Sequence, residues 1–310
     1  MIERFNFYDI YGYLLPGTLL FGLFWLPFGL TSGKLPSSEV STTLLLLALA
    51  YIAGHMLQTV AIAVVPSKVR DKAGVLRTKS SLLLDADDPR FSSAFKADLA
   101  EKVRKAFHAE ILGEDEQRRS NRDTAFFEAR AYLIRNKAAN YVEQFEGLYA
   151  MMRGLGCAFY LGFAYLAGWG VSFHWAVQGM GFGAWCVMVA SGVGALIASG
   201  VVQYIAAHPA TDKEERTQQQ ERALEANSFL ALCALLFAAA AGYFLGTWKP
   251  APANIEFFLW AALPVTLIAG MRCLLAYRNQ AQNFAETVWR DFAALYGDAS
   301  AAADKGDDPD

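Results

Sequence analysis

Apolar residues gather into six long stretches, at roughly 8–30, 41–65, 155–173, 180–206, 228–247 and 255–277. Most reach the roughly 20 residues that an α-helix needs to cross a bilayer. The polar gaps between them differ sharply in charge. The gaps at 31–40 and 248–254 hold one basic residue each, Lys34 and Lys249, and the gap at 174–179 holds none. The other lysines and arginines lie in the N-terminal segment, in 66–153, in 207–227, or in and after the last stretch. Basic loops stay on the cytoplasmic side of a membrane. The pattern therefore predicts six spans with both termini and both charged loops inside. The expected fold class is all-α: a six-span helical membrane protein with cytoplasmic helical extensions forming a bundle.

This reading divides the chain at its polarity shifts. Spans 1 and 2 form a hairpin (1–65), followed by a cytoplasmic helical insert with a heptad stalk (66–153). Spans 3 and 4 form a second hairpin (154–206), followed by a cytoplasmic helical loop (207–227). Spans 5 and 6 form a third (228–277), followed by a cytoplasmic helical extension (278–297) and an acidic tail expected to be disordered (298–310). The N-terminus lacks the features of a cleavable signal, since Glu3 and Arg4 make a poor basic region and Pro16–Gly17 is no small-residue cleavage site. Aromatic side chains fall where interfacial belts are expected: Tyr8, Tyr11, Tyr13 and Trp25 on span 1, Trp169 and Trp175 around span 3, and Trp248 and Trp260 around the last hairpin.

The insert carries the signals of a helical soluble unit. Asp88-Pro89 predicts a helix start, with Phe95, Leu99, Val103, Ala106 and Phe107 as its apolar stripe until Gly113. After the polar run 114–121, the residues Phe127, Ala131, Ile134, Ala138, Tyr141, Phe145, Leu148 and Met152 alternate steps of four and three. Such a heptad seam predicts a buried coiled-coil stripe. No Gly or Pro interrupts it before Gly147 and it leads straight into span 3, so one rod is expected over about 124–170, on the order of 70 Å at 1.5 Å per residue. Span 5 is expected to begin inside, since 212–226 favours helix. Span 6 is expected to continue inward along Tyr277, Ala281, Phe284, Val288, Phe292 and Leu295. No β pattern competes.

Composition moves this picture little. Apolar residues make up 55% and charged residues 18%, and a net charge of −3 argues against a nucleic-acid surface. All four cysteines (Cys157, Cys186, Cys233, Cys273) fall in predicted spans, where they serve as small apolar residues. The chain has no Gly-rich phosphate loop, HExxH, paired CxxC or GxSxG, and its four histidines are scattered. The acidic cluster Asp85, Asp87 and Asp88 reads as solvated loop. No catalytic, cofactor-binding or metal-ligating residue is expected, no cofactor is called for, and an enzyme is not expected.

Polar groups inside spans are costly and therefore informative. His55 and Gln58 share one face of span 2, Ser191, Ser199 and Gln203 share one face of span 4, and Arg272 lies near the inner end of span 6. These six are the candidates for lining a pore or wet cavity; interhelical hydrogen bonding and snorkelling are the alternatives. Ala238, Gly242 and Gly246 on span 5 and Gly194 on span 4 are candidates for close helix packing, within one chain or between copies.

Three segments, FYDIYGYLLPGTLLF, YIAGHMLQ and FEGLYAMMRGL, together resemble a loose group of bacterial inner-membrane proteins, some of them encoded beside anti-phage defence genes. The resemblance implies an inner-membrane address and a defence role, and supplies no catalytic residue. The leading expectation is a non-enzymatic membrane component of a defence or stress response that is signalled through its cytoplasmic helices and perturbs or permeabilises the bilayer. The alternatives are a channel or transporter subunit for a housekeeping solute and a passive anchor that recruits a cytosolic partner. The expected partners are the lipid bilayer, further copies of the same chain and a cytosolic protein, with no nucleic acid.

Overall fold

The computed structural model describes residues 9–32, 39–65, 68–70, 76–113, 115–138, 140–174, 183–184, 186–187, 190–195, 197–198, 201, 213–248 and 253–306. A π-helical turn, Asp9–Leu14, leads into α1 (Leu15–Ser32), and α2 (Val40–Val64) follows. Then come β1 (Lys68–Arg70), β2 (Leu76–Thr78), α3 (Lys79–Leu82), α4 (Ser93–Phe107) and α5 (Glu116–Arg135). The long helices α6 (Asn140–His174), α7 (Lys213–Trp248) and α8 (Ala253–Gly306) complete the chain. It is nearly all helical, and among the described residues five helices are long and apolar enough to cross a membrane: Asp9–Ser32, Val40–Ala63, Tyr141–Ser172, Glu221–Thr247 and Phe257–Gly297. About half of the stretch expected as the fourth span, 180–206, lies outside the described residues.

The chain divides into two compact units, one of Met1–Pro66 with Ala150–Tyr277 and the other of Ser67–Tyr149 with Arg278–Asp310. In the first, helices touch backbone to backbone. A Cβ added to Gly17 of α1 would fall on the carbonyl of Ala50 in α2, and one on Gly54 would fall on the carbonyl of Tyr13. The pair α6–α7 repeats this reciprocity: Gly242 faces the carbonyl of Tyr165, and Gly168 faces that of Ala239. Gly246 abuts the Ser172 hydroxyl, Gly194 would meet the Cys233 sulfur at 2.9 Å, and Ala238 is buried. These small-residue seams are therefore spent inside one chain. Trp169, expected at an interfacial belt, is instead fully buried, edge-on to Phe28 at 5.0 Å. Trp25 and Trp260 are exposed.

The second unit has an ordinary apolar core. Leu99 and Val103 of α4 meet Ile111, Ala125, Phe126, Ala129 and Leu133, with Val288, Trp289 and Phe292 of α8. The Trp289 indole N–H donates to the Ser80 carbonyl at 3.2 Å, which satisfies a buried donor. Several expectations fail here for local reasons. The helix predicted at Asp88 starts at Ser93, where Ser92 caps it by accepting from the Phe95 N–H at 3.2 Å. It ends at Phe107, with His108 in the left-handed region at φ 55°. The polar run 114–121 opens α5, capped by Asp115, which accepts from the Arg118 N–H at 2.9 Å. β1 and β2 pair antiparallel, with Lys68 opposite Thr78 and Arg70 opposite Leu76, where no strand was expected.

The expected rod is broken. Asn136 and Lys137 stop α5, Lys137 taking φ 55°, and the Ala138 N–H donates to the Leu133 carbonyl at 3.0 Å. That is the wrapped C-terminal stop usually made by glycine. The heptad seam is not the buried face: Phe127 is 65% exposed, Tyr141 68% and Ile134 39%, and Ala131 is exposed too. Ala138, Phe145, Leu148 and Met152 are partly covered. The buried face is Arg122, Ala125, Phe126, Ala129 and Leu133, which follows the 3.6-residue period of a helix packed on a globular core. At the C-terminus α8 continues to Gly306, through part of the segment expected to be disordered.

Candidate functional site

The polar groups of the first unit concentrate at one junction, centred on Gln58 of α2. Its side-chain amide nitrogen donates to the carbonyl of Gly12 at 2.6 Å and to that of Ala150 at 2.8 Å. Its oxygen accepts from Arg153 Nε at 3.2 Å and Nη2 at 3.0 Å. A glutamine has two amide hydrogens and one two-lone-pair oxygen, so this set saturates it. Gln58 is 4% exposed and Arg153 8%. Arg153 also hydrogen-bonds the Tyr277 hydroxyl. An arginine buried this deeply is expensive unless its donors are met, and here neutral oxygens meet them.

Local sequence explains how the three elements converge. The π-helical turn carries Gly12, which is buried and whose carbonyl is turned toward Gln58. Gly54 lets α2 approach the Tyr13 carbonyl one turn before Gln58. Gly154 of α6 leaves room beside it, since a Cβ there would stand 2.7 Å from Gln58 Nε2 and 2.8 Å from Pro16 Cγ. The three segments that carry the resemblance thus each supply part of one junction: Gly12, Tyr13, Pro16 and Gly17; Gly54 and Gln58; Ala150, Arg153 and Gly154. Beside it, His55 stacks on Tyr13 with ring centroids 3.7 Å apart and meets Tyr51 edge-on at 4.7 Å. The Tyr51 hydroxyl donates to Asp9 Oδ1 at 3.3 Å.

The four described polar candidates sit in different settings. Gln58 is locked in the junction, while His55 lies on the exposed side of the same helix against Tyr13. Arg272 is exposed on α8 and Ser191 is buried. Ser199 and Gln203 lie outside the described residues. The residues that sequence reasoning missed are Gly12, Ala150 and Arg153. The first two act through backbone carbonyls, which no side-chain pattern signals. Arg153, at the border of the third apolar stretch, had the visible signal of a charge in an aromatic helix.

The second unit holds a different polar centre. Asp85 takes both guanidinium nitrogens of Arg77, at 2.7 and 2.6 Å, and Arg122 Nη1 at 2.6 Å. Arg122 is 1% exposed and completes its shell on the carbonyls of Ile111, Ser81 and Gly113. Asp85 is therefore a structural hub rather than the solvated loop residue expected. Lys96 Nζ closes the same loop on the carbonyls of Asp85 and Asp88, at 2.5 and 2.8 Å. Lys79 donates to the Arg278 carbonyl at 2.7 Å, and burial, with Arg278 and Arg90 nearby, pushes its ammonium down to about 8.

Among the described residues no cluster of three His, Cys, Asp or Glu side chains is placed to hold a metal, and the four cysteines are free thiols. A cleft of about 280 Å³ in the first unit is lined by Val60, Cys157, Tyr160, Leu161, Ala231, Leu235 and Leu274, which offer no acid, base or activated nucleophile. Comparison with protein-family models, with curated proteins and with solved structures finds no match.

Proposed function

We propose that this chain is a non-enzymatic bacterial inner-membrane protein of a defence or stress response, whose charged helical unit receives the signal in the cytoplasm. On this reading the Gln58 junction is the closed state of the membrane part. Opening it exposes Arg153, the Gln58 amide and two backbone carbonyls, and perturbs or permeabilises the bilayer. The observation that carries the reading is the saturation of Gln58 by three chain segments: it puts the most costly buried polar groups where any separation of helices leaves them unpaired. The test is ion leakage from vesicles reconstituted with the whole chain. In Gln58→Leu the buried Arg153 loses its acceptor, so the closed state weakens and leakage rises several-fold over wild type at equal folded yield. If both proteins are folded and neither vesicle leaks, the permeabilising role fails.

A second reading is a passive anchor for a cytosolic partner. It is favoured by the sealed junction, since an anchor needs no path through its helices.

A further inference from the structure

One face of the second unit is left open to water although it carries large apolar side chains. On α5, Phe127, Ala131 and Ile134 form a stripe spaced i, i+4, i+7, with Phe127 65% and Ile134 39% exposed. The opposite face of the same helix is already used, because Ala125, Phe126, Ala129 and Leu133 lie in the core. The exposure is therefore not a loosely packed interior. Clustered apolar exposure of this kind marks a binding surface.

The charges beside the stripe say what covers it. Glu128 and Arg135 are both exposed, on the same flank and seven residues apart. Among the described residues Arg135 makes a single bond, 3.3 Å to its own Ala131 carbonyl, and Glu128 makes no ion pair. Arg130, on the other flank, is already neutralised by Glu146. A second copy of α5 laid antiparallel, with the symmetry axis beside Ala131, brings Glu128 of each copy to Arg135 of the other. It also brings each Phe127 to the partner's Ile134. In a parallel pair the symmetry axis carries the two copies of this flank to opposite edges of the seam, so Glu128 does not meet Arg135 and neither charge is neutralised. The small Ala131 at the axis allows the helices to close. A two-fold interface must be self-complementary in this way.

We propose that the chain forms a two-fold dimer through antiparallel pairing of α5 with α5 of a second copy. A seam this short suffices for chains held in one bilayer, since confinement raises their effective concentration.

The experiment uses the full chain in nanodiscs and in mild detergent, with mass measured by light scattering. The wild type should carry twice the 34.0 kDa protein mass. Oxidation of Ala131→Cys should yield a covalent dimer that the wild type does not give. Glu128→Arg and Arg135→Glu should each weaken association about ten-fold, ~1.4 kcal/mol shared between the two symmetry-related pairs that each substitution disrupts. The double variant Glu128→Arg/Arg135→Glu should return to within about three-fold of wild type, because the swapped charges meet again. A wild-type chain of single-copy mass overturns the proposal. So does a double variant as weak as either single variant, a failure of Ala131→Cys to cross-link, or a single copy that carries a different protein on this stripe.

Discussion

The two units of this chain solve opposite problems with the same helices. The second unit packs Trp289, Phe292, Phe126 and Leu99 into a core, where removing apolar surface from water supplies the drive. The first unit leaves Leu44, Ile52, Phe257 and Val265 exposed and instead brings backbones into contact at Gly17, Gly54, Gly168 and Gly242. In lipid, apolar burial gives no preference for one neighbour over another, so close approach and hydrogen bonds take over. The polar centres follow the same division. Asp85 collects two arginines in the second unit, whereas Arg153 is met by the neutral oxygens of Gln58 and Tyr277.

The sharpest break of this comparison is a large-to-small substitution in each unit. Trp289→Ala should cost the second unit about 3–5 kcal/mol, read as loss of its protected amides in hydrogen exchange. Leu44→Ala, on an exposed position of α2, should leave the melting of the first unit unchanged. Adding a single methyl should reverse the order. Gly242→Ala puts a Cβ on the Tyr165 carbonyl and should cost about 3 kcal/mol, the upper end for overpacking, seen as aggregation on size exclusion in detergent. Unchanged elution would mean that glycine spacing does not hold these helices.

Smaller effects refine the picture. Lys137→Gly removes the cost of a left-handed non-glycine residue and should stabilise the second unit by about 1 kcal/mol in urea unfolding. The smallest effect is a pH slope. The Lys79 ammonium sits near 8 in the folded chain against about 10.5 unfolded, so between these values the unfolded state binds more protons. Stability of the second unit should therefore rise as pH increases from about 8 toward 10.5. The slope should flatten in Lys79→Met, measured by melting at pH 7.5 and 9.5. A slope of opposite sign would mean that Lys79 is stabilised as a cation.

Five of the apolar stretches were legible as long helices because such runs need no partner to be recognised, and α7 and α8 extend beyond theirs as the helix-favouring polar residues implied. The buried face of α5 was misread because Phe127, Ile134 and Tyr141 spell a heptad in large side chains. The true core face is written in Arg122, Ala125 and Ala129, which hydropathy passes over. The stop after α5 was invisible because Lys137, not glycine, adopts the left-handed turn. Gln58 was found by its polarity inside an apolar run. Its partners were not, since Gly12 and Ala150 contribute only carbonyls and lie 46 and 92 residues away.

Cys157 sits one helical turn beyond Arg153, 2% exposed and reduced. Its position makes it a native clock for the bundle. The rate at which a maleimide alkylates that peptide, followed by mass spectrometry on the unaltered chain, reports how often the helices around the junction part. A membrane protein that carries such a thiol can have its breathing timed without a fluorophore, an electrode or an engineered probe.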